Sequence, residues 1–124
     1  MSSSFVFGNR TELDTAVDLW VSDQNSATAT YGDINTWDVS LITNFNALFA
    51  HKRTFNSDIS NWDVSSGTDF TSMFNGATSF NQNISNWDVS SGTNFISMFE
   101  VASAFNQDLS FWNISSTDVI NSFF

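Results

Sequence analysis

The chain repeats itself every 25 residues without insertion, and this period constrains its fold more than any other feature. Trp37-Asp38-Val39-Ser40 returns as Trp62-Asp63-Val64-Ser65, Trp87-Asp88-Val89-Ser90 and Trp112-Asn113-Ile114-Ser115. Ile34, Ile59, Ile84 and Leu109 stand three places before the Trp; Phe45, Phe70, Phe95 and Ile120 stand eight after it; Phe49, Phe74, Phe99 and Phe124 stand twelve after it. Phe55, Phe80 and Phe105, each followed by Asn, close the unit. A period of this length marks a repeat array, in which no unit can bury its apolar side alone and stacked neighbours make the core.

Within one unit, Ile84-Ser-Asn-Trp87-Asp-Val89 places apolar residues at i, i+3 and i+5, the spacing of a strand and bend. Thr43, Thr68, Thr93 and Asp118 then stand where a helix start can be capped, with apolar residues behind them. The pattern predicts an α/β repeat solenoid. Its leucine-rich-repeat-like coils would carry a short parallel sheet, with strands about 4.8 Å apart, and short helices on the other side. Residues 1–124 form one domain in this reading, with about four coils over 31–124 and an N-terminal capping segment over 1–30. A capping helix is expected at about 11–22, because Thr11-Glu12-Leu13-Asp14 resembles a capping box and Leu13, Ala16, Val17 and Trp20 recur at helical spacing.

Fourteen Phe and five Trp make this an aromatic core, and the Trp ladder is expected inside it. The net charge of −10 disfavours nucleic acid and anionic membrane surfaces as partners. No run is apolar enough for membrane insertion, and Met1 to Phe7 lacks the pattern of a secretory leader. With no cysteine there is neither a disulfide framework nor a thiol nucleophile. His51 has no partner at metal or catalytic spacing, and phosphate loops are missing, so no catalytic residue, metal ligand or cofactor is assigned and an enzyme is not expected.

The candidate binding face is the column beside the Trp ladder: Asn61, Asp63 and Ser65 in one unit, Asn86, Asp88 and Ser90 in the next. On a strand these side chains point away from the core. A solvated face of hydrogen bonds to Ser and Asn is the first reading; they also suit contact with a protein or glycan, or carboxylate binding of a hard cation. The column Asp33, Asp58, Asn83 and Asp108 is expected to serve turns. His51-Lys52-Arg53 is the one basic cluster, expected as a solvated corner near the N-terminal cap. Three glycosylation sequons, at Asn9, Asn83 and Asn113, are within what so Asn-, Ser- and Thr-rich a chain produces by accident. No polar cap follows Phe123-Phe124, so either the array continues beyond this sequence or Trp112, Phe123 and Phe124 form a candidate self-association edge for a homo-oligomer.

The stretch Phe80-Asn-Gln-Asn-Ile84-Ser-Asn-Trp87-Asp-Val89-Ser resembles the BspA-like leucine-rich-repeat surface proteins, including the mycoplasma-type lipoprotein repeat of unknown function. The resemblance covers about residues 30–124, with a similar lead-in from Leu13 to Ile34. It implies cell-surface display or secretion, adhesion and protein binding, and transfers no catalytic residue. Where that family has Val-Thr-x-Met, this chain has Gly67-Thr-Asp-Phe70 and Gly92-Thr-Asn-Phe95, and the larger Phe is expected to fill the volume that Gly leaves.

Overall fold

The computed structural model describes residues 4–114. Two helices come first, α1 over Arg10–Ser22 and α2 over Gln24–Tyr31, followed by a single 3-10 turn at Ile34–Thr36. Helix α1 buries Leu13, Ala16, Val17 and Trp20. It starts one residue before the expected box, because Asn9 is the cap. Asn9 Oδ1 accepts from the Glu12 amide at 2.9 Å, and Glu12 Oε1 accepts from the Gly8 amide. Helix α2 was not expected from its sequence, since Gln-Asn-Ser-Ala-Thr-Ala-Thr-Tyr buries only Ala27. Its ends hold it: Asp23 accepts from the Ser26 amide and hydroxyl, and Gly32, at φ 79°, closes the last turn onto Thr28 O.

After α2 the 25-residue units stack, and the inter-unit bonds repeat in register. Phe45, Ala47, Phe49 and His51 donate their amides to the carbonyls of Asp69, Thr71, Met73 and Asn75 in the next unit. Phe70, Ser72, Phe74 and Gly76 do the same to Asn94, Ile96, Met98 and Glu100. The intervening amides turn inward instead, as when Leu48 donates to Phe45 O and Ala50 to Ala47 O. Every second residue therefore links units while its neighbours close local turns.

This arrangement corrects the expected α/β solenoid with a parallel sheet and flanking short helices. Among the described residues there is no strand and no sheet, only isolated parallel bridges such as Asn44↔Asp69 and Asp69↔Asn94. The predicted strand fails because its amides are taken locally. Trp62, Trp87 and Trp112 donate to Ile59 O, Ile84 O and Leu109 O three residues back, and Ser60, Ser85 and Ser110 donate to the side chains of Asp58, Asn83 and Asp108. Such side-chain bonds compete directly with a ladder. The predicted second-half helices fail for a related reason: Ala47, Ser72 and Ser97 have φ of 55–57°, and His51, Gly76 and Val101 have φ of 59–73°, left-handed positions no helix contains. Thr68 and Thr93 do not cap helices. Each donates both amide and hydroxyl to the Thr carbonyl 25 residues earlier. Asp118 lies outside the described residues.

The core is a set of aromatic columns. Phe45, Phe70 and Phe95 stack at 5.4 and 5.2 Å, Phe49, Phe74 and Phe99 at 5.4 and 5.5 Å, and Phe55, Phe80 and Phe105 at 5.7 and 5.9 Å. Trp37, Trp62, Trp87 and Trp112 are buried beside them. Each later indole Nε1 donates to the carbonyl 28 residues before it, Trp62 to Ile34, Trp87 to Ile59 and Trp112 to Ile84, so the ring is both filler and fastener. Gly67 is required where it stands: a Cβ there would meet the Phe70 ring at 2.5 Å and Phe45 at 3.0 Å. The corresponding residue of the first unit, Ile42, is itself buried.

The N-terminal segment closes the first unit by imitating a missing one. Phe7 donates to Asp38 O and Asp38 to Phe5 O. Arg10 Nη1 donates to Asn44 O at 3.3 Å, the carbonyl equivalent to Asp69 O and Asn94 O, which elsewhere receive the amide of a preceding unit. Trp20 Nε1 reaches Ser57 Oγ, and Lys52 Nζ pairs with Asp18 at 2.9 Å.

Candidate functional site

Three columns of Asn and Asp punctuate each unit, all built alike. Asp33, Asp58, Asn83 and Asp108 accept from the amide two residues on; so do Asn44, Asp69 and Asn94; so do Asp38, Asp63 and Asp88. Side chains that bond their own backbone in this way fix turns, and they set where each unit bends.

The column foreseen as a binding face is the third of these. Asp63 Oδ1 accepts from Ser65 N at 3.0 Å and Ser65 Oγ at 2.5 Å; Asp88 Oδ1 accepts from Ser90 N and Oγ at 3.0 and 2.6 Å; Asp38 and Ser40 repeat the arrangement. All these bonds fall on one carboxylate oxygen, leaving Oδ2 of each Asp without a hydrogen bond to the described residues. The Ser90 hydroxyl and then its amide hold the Asp88 carboxyl below the usual carboxylate range, and Ser40 does the same for Asp38. Asp108 is held low by Ser110. Asp69 balances partial burial, which pushes it up, against stronger donation from Thr71 and Asn46 and the charge of Arg10, and ends low.

Asn61 and Asn86 stand on the exposed side of this column. Among the described residues Asn61 uses only its backbone amide, donating to Asn35 Oδ1 at 2.9 Å. The structure gathers Asn61 and Asp63 with Asn35, Asp38 and Ser40 in a groove of about 430 Å³. Asn86 lies in a second groove of about 400 Å³ with Asp58, Asn83 and Ser85. Ser65, Asp88 and Ser90 line neither groove. One unit beyond Asn86, the same position is Phe111, and its ring is 80% exposed.

Trp112 is buried, stacked 6.4 Å from Trp87. Phe123 and Phe124, the rest of the predicted self-association edge, lie outside the described residues, as does Ile120. The His51-Lys52-Arg53 corner meets α1 through the Lys52 ion pair, and His51 donates its amide to Asn75 O. Among the described residues, no three His, Cys, Asp or Glu side chains converge as a metal site would require. No helix there is long and apolar enough to cross a membrane.

Two features escaped the sequence reading. One is the amide ladder in which Asn56 Oδ1 accepts from the Asn81 amide and Asn81 Oδ1 from the Asn106 amide, with Gln82 and Gln107 clasping the preceding Asn. The Asn after each closing Phe, joined by Gln at Gln82 and Gln107, was its signal. The other is a groove of about 520 Å³ between Phe5 and the end of α2, which no periodicity announces.

These observations define a repeat protein whose units are stitched by turns and aromatic columns. The chain belongs to the family described as mycoplasma protein of unknown function, DUF285, whose family model matches residues 15–124. That match agrees with the mycoplasma-type resemblance of the repeat; the leucine-rich-repeat likeness goes beyond it. Comparison with the curated proteins found no match, and comparison with the solved structures found none.

Proposed function

We propose that the chain is a non-catalytic binding module of surface-displayed or secreted type, which presents its Asn, Asp and Ser face to a protein or glycan. The observation that carries this reading is the preset Asp-x-Ser column. Each carboxylate is anchored through one oxygen by its own serine, while Oδ2 and the Asn61 side-chain amide have no hydrogen-bond partner among the described residues. A face ordered before its ligand arrives loses little conformational entropy on binding. The repetition adds further copies of the same group along one line.

The test is retention of glycans and proteins on arrays by the native chain and by a triple variant, Asp38→Asn with Asp63→Asn and Asp88→Asn. Asn already stands at this position in the fourth unit, and its side-chain oxygen can accept the same two serine bonds. The variant is expected to melt like the native chain and to lose its ligand. Arrays on which the native chain retains nothing, or a variant that binds undiminished, would refute the assignment.

A further inference from the structure

We infer that the first unit and the N-terminal segment together form a trough for a neutral oligosaccharide, a proposal that rests on the binding reading above and narrows its ligand class. The groove of about 520 Å³ beside α2 and the groove of about 430 Å³ holding Asn61 and Asp63 share Ser4 and Thr36 in their walls, so they run into one another. Each volume falls in the range of about 300–1,000 Å³ usual for ligand sites.

The two ends differ in chemistry. At the α2 end, Phe5 and Tyr31 stand half-buried, their rings edge-to-face at 4.8 Å, and Tyr31 is braced against Trp37 at 5.7 Å. This is a rigid apolar wall of the kind on which the C–H face of a sugar ring can lie. At the other end stand the Asn61 side-chain amide and Asp63 Oδ2, neither hydrogen-bonded to the described residues. Between them Thr36 and Ser4 bring hydroxyls.

The balance of donors and acceptors selects the ligand. Amides and hydroxyls both donate and accept, and so do sugar hydroxyls. An ammonium or guanidinium group only donates, and would leave the Asn and Ser donors of the trough unmatched. A sulfated or carboxylated glycan would meet Asp38 and Asp63 in a chain of net charge −10. A neutral sugar satisfies the amide, the carboxylate and the ring wall together.

The probes are short β-linked oligosaccharides of glucose, N-acetylglucosamine, mannose and galactose, with heparin and polylysine as charged controls, titrated into the full chain while amide chemical shifts are followed. At least one neutral probe is expected to shift Tyr31, Thr36, Asn61 and Asp63 saturably. Asn61→Ala, which removes no hydrogen bond made within the described residues, is expected to weaken that probe roughly fivefold without changing the melting temperature. Ala29→Trp, an exposed site in the wall of the α2 end, is expected to block it. The trough is overturned if no neutral probe binds, if polylysine alone binds, or if both variants bind normally. It is equally overturned if the shifts centre on Asp88, Ser90 or Phe111, a result that keeps the broader face. A chain that retains nothing on the protein and glycan arrays overturns both readings.

Discussion

The Asp-Val-Ser triplet shows how one residue serves shape and chemistry together. Its carboxylate fixes a turn through the following serine, and that donation holds the carboxyls of Asp38 and Asp88 below the usual carboxylate range. A carboxyl held low in the folded chain contributes stability that is present above the unfolded value and is lost as pH falls through the folded one. Melting temperature is therefore expected to hold from neutral pH down to about 4 and to drop below it. Because these groups are exposed, solvent screens each contribution and the slope should be shallow. Ser90→Ala should return Asp88 toward the ordinary carboxylate value, which carbon-detected titration of the side chain would read. Gly67 makes a second residue-scale prediction. Gly67→Ala pushes a methyl into the Phe70 ring and is expected to cost about 1–3 kcal/mol. Urea denaturation should show that loss, and adding Phe70→Leu should recover part of it.

At the scale of the element, what matters is which backbone groups each segment leaves for its neighbours. The turn ladder sends alternate amides to the next unit, so the first unit has carbonyls that no preceding unit serves. Arg10 serves one of them, Asn44 O, from the first turn of α1, while also pairing with Asp14 at 2.7 Å. Arg10→Met keeps the stem but removes the donor and the charge, and is expected to cost about 1 kcal/mol by chemical denaturation. An unchanged midpoint would show that α1 docks through its apolar face alone. The indole bonds are the inter-unit counterpart. Trp62→Phe removes one of the two donors to Ile34 O, which keeps the Trp37 amide, and should cost about 1 kcal/mol in the same measurement, before any loss of packing.

For the whole molecule, stability should be distributed as in other stacked arrays, a sum of unit and interface contributions. Hydrogen exchange is expected to be slowest at Phe49, Phe70 and Phe74, whose amides lie in the ladder between aromatic columns, and faster at Asn81 and Asn106, which are exposed. Uniform protection along the chain would mean a single all-or-none unit.

How far this architecture could be read in advance depended on the kind of information each part carries. The 25-residue register, the identity of the buried aromatics and the α1 apolar face are one-dimensional patterns: a residue's burial follows from its place in a period, so Leu13, Trp20 and the Phe columns were legible. The Asn61, Asp63 and Ser65 column was legible as a polar line for the same reason, though not the groove that joins Asn61 and Asp63 to Asn35 and the N-terminal segment. The period, the inside and the outside follow from the order of residues alone. The choice between strand and turn was settled in three dimensions, because apolar spacing is blind to where amides go. Here Asn, Asp and Trp claim those amides locally, and left-handed residues such as Ala47 and Ser72 alternate the rest between units. The same competition for backbone bonds that removed the expected sheet made the turns from which the candidate trough is built.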